Sequence, residues 1–166
     1  MLRATLLFAI LFSTTTAAAQ DTLRPGDMVG GSVSEGDTVS YVTDVAAGHF
    51  IMGEITDLTG DAIIELLDPE GRVVAGTTYP LAFAFETNEA GQYRIQIFAE
   101  DDGAGSFEVL LDRIEPIETD PAKLVDQLMF PYDRDDSPGA AVSVWRGGRN
   151  VFSGAYGMAN LAYGIP

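Results

Sequence analysis

A side-chain nucleophile needs a base within reach, and this 166-residue chain offers few partners for such chemistry. It has one histidine, His49, one lysine, Lys123, and no cysteine. A lone histidine makes neither a triad nor a metal site, so His49, next to Gly48, reads as a surface residue at the start of a strand. Ser137 and Ser153 have no nearby base in the sequence and receive no nucleophilic role. Asp101 and Asp102 are adjacent acids in the loop Asp-Asp-Gly-Ala-Gly105, a setting that permits calcium. The D-x-D-x-D-G order of a dedicated loop is missing, so a solvated turn is the reading preferred. Arg146 and Arg149 flank Gly147-Gly148 and read as solvated, and Trp145 as a sheet residue that packs on a further part of its domain. No catalytic, cofactor-binding or metal-binding residue is therefore assigned, and no cofactor is expected.

Composition narrows the setting for these residues. Hydrophobic residues make up 46% of the chain, enough for a packed core. With 25 acidic residues against 9 basic ones the formal net charge is -16, a field that repels nucleic acid and anionic lipid, so neither is expected as a partner. Arg3, the short apolar run Leu6 to Phe12 and Ala17-Ala18-Ala19 read as an export signal cleaved after Ala19. That run is too short to span a bilayer, and no other segment is long enough. The expected location is bacterial periplasm or secretion. Without cysteine there are no disulfides, and stability must come from the apolar core.

From Asp27 to Arg113 the periodicity is two. Val39, Tyr41, Thr43 and Val45 alternate with Thr38, Ser40 and Asp44. Tyr93, Ile95 and Ile97 alternate with Arg94 and Gln96, and Phe107, Val109 and Leu111 with Glu108 and Asp112. Apolar runs lie at Phe50 to Ile55, Ala62 to Leu67 and Leu81 to Phe85. Turn residues separate these segments, among them Glu35-Gly36-Asp37, Asp68-Pro-Glu-Gly71 and Asn88-Glu-Ala-Gly91. Gly36, Gly71 and Gly91 are expected at positive φ. Tyr41 and Tyr93 are expected to bury their rings and leave the hydroxyl at a polar edge. Short strands with such punctuation predict a small antiparallel β-sandwich.

Gly31 to Asp37 with Tyr41, then Asp68 to Gly71, then Ala90 to Tyr93 resemble the bacterial pre-peptidase C-terminal domain, a small β-sandwich attached to secreted hydrolases. The likeness covers about half the chain and places an accessory domain at residues 23–114. Its matched positions are turn and core residues, which specify fold and say little of function.

Residues 115–120 are short, acidic and proline-containing, as a linker should be. Asp120-Pro121 is a helix start, with Asp as N-cap and Pro at the first helical position. Leu124, Val125, Leu128 and Met129 are expected to form the apolar stripe, with Lys123, Asp126 and Gln127 outside, and Pro131 to end the helix by pushing Phe130 out of the helical region. Gly139 to Arg146 and Arg149 to Ala155 then read as a hairpin about Gly147-Gly148. Alone, these elements are expected to leave Val142, Val144, Trp145, Val151, Phe152 and Tyr156 as one exposed apolar patch.

Pro138-Gly139-Ala-Ala-Val142, Gly148-Arg149 and Tyr156-Gly-Met-Ala-Asn160 resemble the opening of the serine β-lactamase-like family of class C β-lactamases, penicillin-binding DD-peptidases and esterases. The likeness spans the last 46 residues and implies that 121–166 is the incomplete start of an α+β hydrolase domain. The family's chemistry uses S-x-x-K, Y-x-N and a later K-T-G or H-x-G strand. No serine here is followed three positions later by lysine and no tyrosine two positions later by asparagine, so none of those residues is carried over. The expectation is thus a mainly β chain: a sandwich, then the first helix and hairpin of a truncated hydrolase domain. Its full-length parent would act through an acyl-enzyme on a β-lactam, cell-wall, ester or peptide substrate, and the fragment would be inactive. The alternative is a complete, non-catalytic secreted module that binds carbohydrate or protein.

Overall fold

The computed structural model describes residues 21–76, 81–99 and 103–166. The export signal and the Asp101-Asp102 pair lie outside the described residues. Nine strands build the first body: β1 (Asp21–Thr22), β2 (Met28–Ser34), β3 (Thr38–Val45), β4 (His49–Leu58), β5 (Ala62–Leu67), β6 (Val73–Gly76), β7 (Ala82–Thr87), β8 (Gly91–Ala99) and β9 (Ala104–Pro116). They form two sheets, ordered β1-β3-β8-β5-β6 and β2-β9-β4-β7. Every pairing is antiparallel except the short β1–β3 contact. The chain is mainly β, as its alternation predicts.

The core lies between the sheets and is filled by the period-two positions. Tyr93, Ile95 and Ile97 enter from β8, Phe107, Val109 and Leu111 from β9, and Ile51, Ile55, Ile64, Leu66 and Val33 complete it. The Tyr93 ring is buried while its hydroxyl donates to the Glu89 carbonyl at 3.1 Å, which satisfies the polar end. Gly36 and Gly71 take φ of 75° and 81°, as their turns require. Gly91 is also at positive φ, 159°, as expected, and has a second reason to be glycine. A Cβ there would sit 2.7 Å from Cγ of Pro69, so the Asp68–Gly71 turn packs onto the start of β8 through this missing side chain.

The run at Phe50 to Ile55 is apolar on both faces because both are covered. Ile51 and Ile55 face the core, whereas Phe50 and Met52 are buried outside that core cluster. Across the sheet, Met52 is paired with Arg113 and Ala84, and Phe50 with Glu115 and Glu86. The helix α1 (Pro121–Met129) and the 3-10 turn Phe130–Tyr132 pack against β7 on this side. The remaining strands, β10 (Ala140–Arg146) and β11 (Arg149–Tyr156), form a sheet of their own.

Two expectations about α1 are corrected. The helix begins as predicted, with Asp120 Oδ1 accepting from the N–H groups of Ala122 and Lys123 at 3.0 and 3.2 Å. Phe130, however, stays in the right-handed helical region, at φ -45° and ψ -45°. Pro131 tightens the chain into a 3-10 turn instead of extending it, because a proline in the first turn of that new element lacks only an N–H that would go unbonded anyway. Gln127 is the second correction. It is 5% exposed, while Leu128, counted in the stripe, is 50% exposed. The inward side of α1 meets strand-end backbone, and that surface selects an amide over an aliphatic side chain.

Candidate functional site

Gln127 fastens the helix to the end of β9. Its Oε1 accepts from the Glu118 N–H at 2.9 Å, and its Nε2 donates to the Pro116 carbonyl and to Glu115 Oε1, both at 2.9 Å. One amide thus satisfies backbone groups at and just beyond the end of β9. Beside it, the Arg113 guanidinium lies 5.2 Å from the Phe130 ring centroid. Farther along, Arg134 reaches Glu54 at 3.0 Å and Asp136 at 2.8 Å. The Arg134 guanidinium holds the Asp136 carboxyl below the usual carboxylate range. Between α1 and the sheet runs an open cleft of about 740 Å³, lined by Met52, Glu54, Arg113, Glu115, Lys123 and Asp126 among others.

The hairpin is joined to this helix by its last residue. The Tyr156 hydroxyl donates to Asp126 Oδ1 at 2.6 Å. Burial, with the Asp126 carboxylate beside it, pushes the phenol up to about 12. Gly147 and Gly148, at φ 57° and 76°, make the two-residue turn with both central residues left-handed, matching the twist of the strands. Register then sorts the side chains. Val142, Val144 and Phe152 are half-buried and Tyr156 is buried, with Ala140 opposite Tyr156, Val142 opposite Gly154 and Val144 opposite Phe152. A Cβ at Gly154 would meet the Phe152 ring at 2.8 Å, so this glycine lets the aromatic lie along its own strand.

The other face is open. Ala141 pairs with Ala155 and Ser143 with Ser153, and both pairs are largely uncovered. Trp145 is 64% exposed and Val151, the extra residue at a bulge, 52%. Leu161, Tyr163 and Ile165 of the following turn are also exposed, Tyr163 at 81%. The single patch expected from the sequence is therefore two faces. Val142, Val144, Phe152 and Tyr156 turn toward cover, and Trp145 and Val151 remain in solvent.

The residues weighed for chemistry are not brought together. His49 Nδ1 lies 3.2 Å from the Ala47 carbonyl, and its backbone N–H donates to Thr87 Oγ1 at 3.0 Å. Ser137 is buried and its hydroxyl donates to the Pro138 carbonyl at 3.3 Å. Ser153 receives the Asn150 amide at 2.7 Å and lies 3.2 Å from Ser143 Oγ, with no base in that set. Lys123 Nζ sits 3.7 Å from Glu118. Arg146 and Arg149 are exposed at the hairpin turn. Among the described residues no group of His, Asp or Glu is arranged to hold a metal ion.

A second polar cluster surrounds the Asp68–Gly71 turn. Asp68 Oδ1 accepts from the Glu70 and Arg72 N–H groups at 3.1 and 2.8 Å, and Oδ2 from Arg72 Nε at 2.6 Å. Burial alone would raise the Asp68 carboxyl, and these donors outweigh it and hold it below the carboxylate range. A hydrogen bond donated by the Glu89 carboxyl to Glu70, and the charge of that carboxylate, hold Glu89 above its usual range. These groups line a hollow of about 240 Å³ beside Tyr93.

No family model matches this chain, and no curated protein matches it. Solved structures similar to it include the periplasmic inhibitor of g-type lysozyme PliG from Aeromonas hydrophila, at 15% identity and a TM-score of 0.48, covering 58% of this chain and 96% of that one. The pre-peptidase C-terminal domain of collagenase from Bacillus anthracis matches at 16% identity and 0.43, over 58% of this chain and 98% of that one. PliG from Salmonella Typhimurium matches at 10% and 0.40, over 59% and 100%. None of these likenesses bears on a ligand or partner of this chain.

Proposed function

We propose that residues 21–166 work as a non-catalytic module of an exported protein, recognising protein or carbohydrate through apolar surface. The observation that carries this reading is the open face of the β10–β11 sheet, where the chain's single tryptophan, Trp145, stands in solvent beside Val151. An exposed aromatic on a regular strand is a means of contact, and no hydroxyl near it has a base. Export rests on the signal-like first 19 residues. Among the described residues no helix is long and apolar enough to cross a membrane. The test is to expose the purified chain to a fluorescent penicillin and a fluorophosphonate, then titrate it with soluble oligosaccharides and strand-forming peptides while following Trp145 fluorescence. The reading expects no covalent label and a saturable change in fluorescence. A labelled serine would overturn it.

A second reading is favoured by one specific feature. The segments Pro138–Val142 and Tyr156–Asn160 meet at the base of the hairpin whose turn end carries Gly148–Arg149, with the Gly139 N–H donating to the Met158 carbonyl at 2.7 Å and α1 covering one face of the hairpin only. Under this reading residues 121–166 open a serine β-lactamase-like domain, linked through 115–120 to an accessory sandwich at 23–114. Covalent labelling by the same probes of a longer polypeptide that contains this chain, with none on residues 21–166, is the result it expects.

A further inference from the structure

The β10–β11 sheet has two strands, so each strand has one edge whose backbone groups lack a ladder partner in that sheet. Proteins blunt such edges with charge, proline, strong bulges or very short strands. One sheet of the sandwich does so, with edge strands β1, two residues long, and β6, four residues long, while the other ends on the longer β2 and β7. The hairpin does not. From Ala140 to Trp145 and from Asn150 to Tyr156 there is no charged residue and no proline, and the one bulge lies at Val144/Trp145.

Charge says what would fit this edge. Residues 139–166 contain Arg146 and Arg149 and no acidic residue, whereas all 25 acids precede them. Both arginines are exposed at the turn end of the hairpin, and neither forms an ion pair among the described residues. A partner segment lying along the sheet would bring its end beside these two cations. A second copy of this chain is disfavoured, since pairing two hairpins would also bring together two strongly acidic bodies.

We propose that the β10–β11 sheet takes up an extended segment of another protein as a third strand, apolar at alternate positions and carrying carboxylates at the end beside Gly147-Gly148. Main-chain hydrogen bonds supply the pairing, Trp145 and Val151 cover the apolar side chains, and Arg146 and Arg149 set the polarity. This inference rests on the binding-module reading and names the kind of partner.

The test uses three synthetic peptides with one alternating valine–threonine core: one ending in two glutamates, one ending in two lysines, and the glutamate peptide N-methylated at alternate backbone positions. Binding to residues 21–166 is read from Trp145, the only tryptophan. The glutamate peptide is expected to shift Trp145 emission to the blue and to bind about three- to tenfold more tightly than the lysine peptide, the range two partly exposed ion pairs supply. N-methylation, which removes main-chain donors, is expected to abolish the shift. In R146E/R149E the preference between the charged peptides is expected to reverse. Equal binding of all three peptides, or none by any, overturns the proposal, as does a dimer in sedimentation with Trp145 covered in the absence of peptide. These failures are distinct from failure of the module reading, which a covalently labelled serine would signal whatever the peptides do.

Discussion

The side-chain amide of Gln127 donates to the carbonyl oxygen of Pro116 at 2.9 Å while its own oxygen accepts from the Glu118 N–H, so one helix residue closes the strand end that precedes it by eleven positions. This contact, rather than chain connectivity alone, makes β9 and α1 one structural unit. It also fixes what sits over Phe50 and Met52, which a sandwich ending at Pro116 would leave bare on its outer sheet face.

Gln127→Ala leaves those part-buried backbone groups without this partner. The expected loss is about 1–3 kcal/mol, the cost of leaving such groups unsatisfied, and a fall in Tm of about 3–10 °C for a chain of this size. Thermal denaturation followed by circular dichroism measures it. A change within about 0.5 kcal/mol would mean that water replaces the amide at no cost.

Tyr156→Phe removes the hydroxyl that joins the hairpin to Asp126. The expected loss at neutral pH is about 1 kcal/mol. The phenol is raised to about 12 in the folded chain, so its contribution is fully present below about 10, the value of a free tyrosine, and is lost as pH rises from there through 12. The difference in stability between wild type and variant should therefore be constant from pH 7 to 9 and shrink above 10. Urea unfolding across that range reads it.

Asp68 titrates in the opposite direction. Its carboxyl is held low by the Glu70 and Arg72 groups, so its contribution is present above the free aspartate value near 4 and disappears as pH falls through the lower folded value. Asp68→Ala is expected to lower the urea midpoint at pH 7 and to matter less with each step of acidification below pH 4. A midpoint difference that does not change with pH would place the role of Asp68 in packing and not in its charge.

Gly91→Ala forces a Cβ against the Pro69 ring, from which it would be separated by 2.7 Å at Cγ. About 1–3 kcal/mol of destabilisation is expected. The double variant Gly91→Ala/Pro69→Ala should recover part of that loss, a coupling that a double-mutant cycle isolates. Additive losses would assign the glycine to backbone conformation alone.

These positions also mark the limit of reading this chain without coordinates. Alternation at Tyr93–Ile97 and Phe107–Leu111 names the core directly, because a strand with one buried face must repeat every second residue. The caps at Asp120 and the Gly147-Gly148 turn are equally legible, since local backbone geometry dictates the residue type. Gln127 was not, because helical periodicity weighs hydrophobicity, and the surface facing this residue is polar backbone. Gly91 is legible in part: its positive φ goes with the turn it closes, whereas its contact with Pro69, more than twenty residues away, leaves no local signature. For the hairpin, the sequence contains the apolar residues but not their division between covered and open faces, which register and the bulge at Val144/Trp145 decide.

The open face itself is the claim to press hardest. Trp145 is the chain's sole tryptophan, so its emission and its quenching by acrylamide in monomeric residues 21–166 report on that surface alone. Emission close to that of free tryptophan, with unhindered quenching, is the expected result for a ring that is 64% exposed. Blue-shifted emission protected from quenching, in a protein that sediments as a monomer, would contradict an available contact surface on β10–β11.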